Sequence, residues 1–211
     1  MRAILLADLY GSRKNLYIYI PLTLAFMALA VSAAATVTSL TFALCASVGA
    51  GMLPVVSMGS AEASHWDRYA QMLPGGKAQA VNARFLEALA VAGALWVYST
   101  ALFCAKAALG GWTWAEARFM SAFVPAVGLL SSALCLGAVC RLGWARGNIF
   151  FCVTICLVGA SGAVSSLLGV SDAGLGNFAG SAAVLALPVA AGAFFGAVWL
   201  LSARWYQKRE L

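Results

Sequence analysis

Residues able to do acid–base, nucleophilic or metal chemistry are few in this chain and poorly spaced for it. The single histidine, His65, lies in a polar stretch between apolar segments. Glu87 stands near one end of an apolar segment and Lys106 near its other end, and no apolar segment carries an ionisable residue near its middle. Ion-coupled carriers place acidic or histidine groups within the membrane, and intramembrane hydrolases need a nucleophile with a base, or metal ligands. This inventory argues against both. Glu87 stays open, with an interfacial pairing to Arg84 or an outward-snorkelling carboxylate as the plain readings. Cys152 and Cys156 share a helix face at i,i+4, but no histidine or carboxylate neighbours them in sequence, so they read as small apolar packing residues rather than metal ligands. The other four cysteines (Cys45, Cys104, Cys135, Cys140) also lie in or beside apolar segments, which disfavours a disulfide framework. Gly75-Gly76-Lys77 imitates the end of a phosphate-binding loop, yet Ala78 replaces the required Ser or Thr and Gln71 the early glycine, so the match fails. No cofactor or metal is expected in this chain, and it is not expected to be an enzyme.

The elements that must carry these residues are membrane helices. The chain has 211 residues, 63% hydrophobic and 9% charged, against about a quarter charged in soluble domains. Six continuous apolar runs reach the roughly 20 residues a spanning helix needs: 16–34, 40–58, 85–105, 119–140, 148–168 and 181–202. They leave no room for a soluble domain, so residues 1–211 are read as one all-α transmembrane domain. Barrel strands would be shorter and would alternate in polarity. Ala28-Leu29-Ala30 imitates a signal-peptidase site, but the preceding run exceeds a signal core, and an uncleaved first helix is expected.

The net charge of +6 is distributed as membrane topology demands rather than as a nucleic-acid surface. With the N-terminus cytoplasmic, 11 of the 13 basic residues fall on the cytoplasmic side, and only Lys106 and Arg118 on the other. Both termini are therefore expected in the cytoplasm, with a basic face that meets anionic lipid headgroups and no nucleic-acid partner.

Along the chain, Met1–Asn15 is amphipathic, and either lies along the interface or extends the first helix. Pro21 falls near the start of the first span. Gly49, Gly51 and Pro54 favour a kink in the second, and Pro125 with Gly128 an interruption in the fourth. Trp112 and Trp114 suit an aromatic belt. Gly192 and Gly196 form a small-residue face for packing within one subunit or for a dimer seam.

The segment between spans two and three is the specialised part. Trp66, Asp67, Arg68 and Tyr69 combine aromatic anchors with charges, and Lys77–Leu86 continues as a helix into span three. Aromatics and arginine favour docking surfaces; a loop lying on headgroups is the plainer alternative. These residues also carry a resemblance. Leu5-Leu6-Ala7-Asp8-Leu9-Tyr10 with Arg13-Lys14, and Trp66-Asp67-Arg68-Tyr69-Ala70 with Leu73-Pro74, Lys77 and Arg84-Phe85-Leu86, resemble the lead and the inner loop of ABC-2-type exporter permeases. The six spans fit that family over the whole length. The chain departs from the family after Pro74, where Gly76, Lys77 and Gln79 replace the usual Ser or Thr, Arg and acidic residue, and a glycine caps a helix less well.

The resemblance implies a permease subunit in a bacterial cytoplasmic membrane. A second copy or a paralogue would complete the translocation path. A separate ATPase subunit would bind ATP and Mg and dock on Trp66, Asp67, Arg68, Tyr69, Lys77 and Arg84. The competing expectation, a non-transporting scaffold, accessory or sensor subunit, explains the spans equally well but leaves the inner loop without a purpose.

Overall fold

A computed structural model describes residues 13–33, 36–63, 76–144 and 183–207, together with separate helical positions between 146 and 160. Every element among the described residues is helical. In chain order these are α1 (Arg13–Ser32), α2 (Thr36–Gly51), α3 (Leu53–Ala63), α4 (Gly76–Ala108), α5 (Trp114–Leu142) and α6 (Ala183–Gln207). Four stretches are long and apolar enough to cross a membrane: Thr36–Gly59, Gln79–Ala108, Trp114–Leu142 and Ala186–Trp205. Tyr17–Ser32 is a shorter apolar helix. The apolar run 148–168 falls mostly outside the described residues, as does the lead before Arg13.

Several expectations shift by physical detail. The first helix begins by Arg13, so Pro21 is interior to it rather than near its start. The second apolar run breaks once, at Met52. Pro54 has no N–H to donate to the Ala50 carbonyl four residues back. The chain tightens through Met52 N–H to the Gly49 carbonyl (3.2 Å) and restarts through Val56 N–H to the Met52 carbonyl (2.9 Å). The interruption expected at Pro125 does not occur, since α5 runs unbroken from Trp114 to Leu142. Beside Pro125, the Ser47 hydroxyl of α2 donates to the Val124 carbonyl at 2.6 Å.

Contacts along the interfaces give the directions. Ser39 donates to the Ala30 carbonyl and Ser47 to Val124, so α2 runs against α1 and along α5. Asn82 meets Trp199 and Phe85 meets Phe195, so α4 runs against α6. Gly137 faces Val198 and Arg141 faces Trp205, so α5 and α6 run parallel. The end of α5 and the start of α6 therefore lie at opposite ends of the bundle.

Small residues set the closest approach. A Cβ on Gly51 would stand 2.6 Å from Ser132 Oγ and 3.2 Å from the Gly128 carbonyl oxygen. Without one, the α2 and α5 backbones come together through van der Waals contact and hydroxyl–carbonyl bonds, the interactions available to helices that gain nothing from hiding apolar surface from lipid. Two cores flank this seam. One, at the end carrying Arg84, Arg141 and Arg204 (the basic end), gathers Met52, Val55, Phe85, Leu136, Val139 and Phe195. The other, at the Lys106 end, gathers Met27, Phe103, Trp112, Phe119 and Met120.

Candidate functional site

At the basic end, α3 and α4 are joined through side chains rather than by packing alone. Arg84 is buried, and its Nη1 donates to Ser57 Oγ at 2.6 Å and reaches Glu87 Oε2 at 3.5 Å. Ser57 Oγ lies 3.0 Å from Glu87 Oε2 and 2.8 Å from the Pro54 carbonyl. The hydroxyl has one proton, so it serves either the carboxylate or the carbonyl while accepting from the guanidinium. Arg84 and Glu87 are three apart on α4 and so share a face; Ser57 stands one turn past Pro54 and faces them. The carboxylate compensates the buried guanidinium, which would otherwise carry a large desolvation cost.

A second junction lies about half a turn nearer the start of α4. Asn82 Oδ1 accepts from Trp199 Nε1 at 2.8 Å. Phe85 stacks on Trp199 with ring centroids 5.7 Å apart and planes 7° apart, and meets Phe195 edge-on at 5.4 Å. The segment between α3 and α4 thus leaves from one helix and returns to another, and the two are tied to each other and to α6 within about two turns of the join.

The sequence-predicted residues divide as follows. Trp66, Asp67, Arg68 and Tyr69 lie outside the described residues. Lys77 falls in the first turn of α4, which begins at Gly76. Arg84 is not on the surface; it is the one charged side chain among the buried residues described, and Glu87 is its partner. Ser57 carries no sequence signal, because an isolated serine in an apolar run reads as filler until its neighbour is known. Gly192 and Gly196 have no described atom within 4 Å of an added Cβ, so this face does not pack within the described part of the subunit. Cys152 and Cys156 are exposed rather than packed, and no group of three metal-ligating side chains occurs among the described residues.

At the opposite end Trp114 is exposed, as a belt residue should be, but Trp112 turns inward. Its ring lies 5.5 Å from Phe103 and 4.0 Å beneath Lys106 Nζ, which also donates to the Ala33 carbonyl at 2.8 Å. Gly110, at φ 78°, makes the turn that brings Trp112 back over α4. Thr113 and Glu116 then form a reciprocal capping box at the start of α5, with Glu116 Oε2 2.8 Å from Thr113 N and Thr113 Oγ1 3.3 Å from Glu116 N. The T-x-x-E spacing was a legible signal for that start.

Long apolar helices joined by small-residue seams, with ionic groups confined to their ends, define a multi-pass integral membrane protein. The family profile described as "ABC-2 family transporter protein" matches residues 3–207. The chain belongs to this family of membrane transport components. Searches of the curated proteins and of the solved structures find no match.

Proposed function

We propose that this chain is the permease subunit of an ABC-2-type exporter in a bacterial cytoplasmic membrane. A second copy or paralogue completes its path, and a separate ATPase subunit that binds ATP and Mg drives it. The observation that carries the reading is the Ser57–Arg84–Glu87 junction. It makes the flanks of the 64–75 segment, α3 and the first turns of α4, into one unit, while the break at Met52 separates that unit from α2. A push on the segment would then move α3 and the first turns of α4 together, with α3 pivoting at Met52, instead of spreading them apart.

In this reading Trp66, Asp67, Arg68, Tyr69 and Lys77 supply the docking surface. Arg84 acts behind it as a positioning residue. Both termini lie in the cytoplasm, and 148–168 is the fifth crossing that takes the chain from the end of α5 back to the start of α6, giving six spans. Gly192 and Gly196 offer a seam for the second permease chain.

The test is to purify the protein gently from its native membrane and identify what accompanies it by mass spectrometry. A stoichiometric companion with a complete phosphate-binding loop, lost from a Trp66→Ala or Asp67–Pro74 deletion variant that still inserts, is the expected result. Recovery without an ATPase, under conditions that preserve other membrane complexes, overturns the reading in favour of a scaffold or sensor.

A further inference from the structure

A groove of about 300 Å³ runs between α5 and α6 toward their C-terminal ends. Leu134, Gly137, Ala138 and Val198 form its walls, and Arg141 and Trp205 stand at its mouth. The Arg141 guanidinium carbon lies 5.3 Å from the centre of the Trp205 ring. A cation–π contact with the ring face uses none of the guanidinium's five N–H donors. No carboxylate or carbonyl accepts from Arg141 among the described residues, and the side chain is exposed. Arg204, beside Trp205, and Arg146, beyond the end of α5, are exposed as well and also have no carboxylate partner among the described residues.

We propose that this groove is a binding site for an anionic phospholipid, with the phosphate on Arg141 and an acyl chain along Gly137, Ala138 and Val198. Charge and shape select this occupant together. A guanidinium placed over an indole ring keeps its N–H donors free for a phosphate, which it can grip through two parallel N–H bonds. The apolar walls above it are of no use to a free anion, but they accept a hydrocarbon chain. A zwitterionic lipid would bring its own cation toward Arg141, Arg146 and Arg204, and so is disfavoured. The site does not depend on ATPase coupling, and its test leaves that reading untouched.

The experiment is native mass spectrometry of the delipidated full chain titrated with dioleoyl phosphatidylglycerol or dioleoyl phosphatidylcholine. Wild-type protein should retain phosphatidylglycerol about fivefold or more over phosphatidylcholine. Arg141→Gln should remove that preference, and Arg141→Lys, which keeps charge without the fork, should keep part of it. Ala138→Leu, which fills the groove, should lower retention of both lipids. Equal retention of the two lipids by wild type overturns the proposal, as does an unchanged preference in Arg141→Gln. Two other occupants would also overturn it. Competition by glycerophosphoglycerol or inorganic phosphate as strong as by intact lipid would mark a free-anion site. Concentration-dependent dimerisation abolished by Ala138→Leu would give the groove to a second copy. If Ala138→Leu fails to fold, the two Arg141 variants decide the matter alone.

Discussion

Each end of this bundle is closed around a cation, and the two closures are built differently. At the basic end, Arg84 is held by the side chains of Ser57 and Glu87, and an aromatic stack with α6 lies alongside. At the other end, Lys106 is held by the backbone carbonyl of Ala33 and the face of Trp112. Backbone carbonyls are present whatever the sequence, and the last carbonyls of a helix await a donor or a cation. The Lys106 closure therefore asks little of its neighbours' side chains. The Arg84 closure needs three particular side chains on two helices. Such a junction is sensitive to alteration of any one of the three.

Breaking the sensitive end should have the largest effect. Arg84→Ala leaves the Glu87 carboxylate without its cation in a largely buried place, and should cost about 3 kcal/mol in detergent thermal unfolding. The double variant Arg84→Ala with Glu87→Ala should lose less than the two single losses added together. Strict additivity would mean that the two charges are neighbours without being coupled. Next comes the seam between the ends. Gly51→Val drives a branched side chain into Ser131, Ser132 and the Gly128 carbonyl, where backbone cannot yield, and should cost about 2 kcal/mol by the same assay.

At the opposite end, Lys106→Met removes the bond to Ala33 and the cation above Trp112, and a loss of about 1.5 kcal/mol is expected. A loss as large as that of Arg84→Ala would erase the contrast between the two ends. The smallest change should come from Thr113→Ala, which opens the capping box at the start of α5 and should cost about 1 kcal/mol. Hydrogen exchange confined to the first turn of α5 would localise that loss.

Hydropathy is a poor guide to which helix lies inside. Trp114–Leu142 and Ala186–Trp205 are similarly apolar, yet most of the first is buried and little of the second. Lipid and protein interior are equally apolar, so composition marks membrane depth without marking neighbours. For the same reason Trp112 and Trp114, two residues apart, read alike in sequence, while one is core and the other faces outward. Pro54 and Pro125 also read alike. Pro54 follows Met52, where the helix gives way, while Pro125 stays inside an intact helix beside a hydroxyl from α2.

Four of the apolar runs, the helical start after Pro74 and the scarcity of ionisable groups within the spans were determined by the amino-acid sequence itself. Each follows from local composition and from the cost of charge in hydrocarbon. The choice of partners was decided only by tertiary structure. Arg84 and Glu87 share a helix face, and their pairing was readable from spacing alone. That Ser57, 27 residues before Arg84 in the chain, completes the junction depended on how α3 packs against α4. So did the burial of Arg84, for which its sequence position alone suggests a surface role. Whether a glycine, serine or arginine meets lipid or another helix depends on the rotation and crossing of whole helices, and that is settled by the sum of many weak contacts along their length.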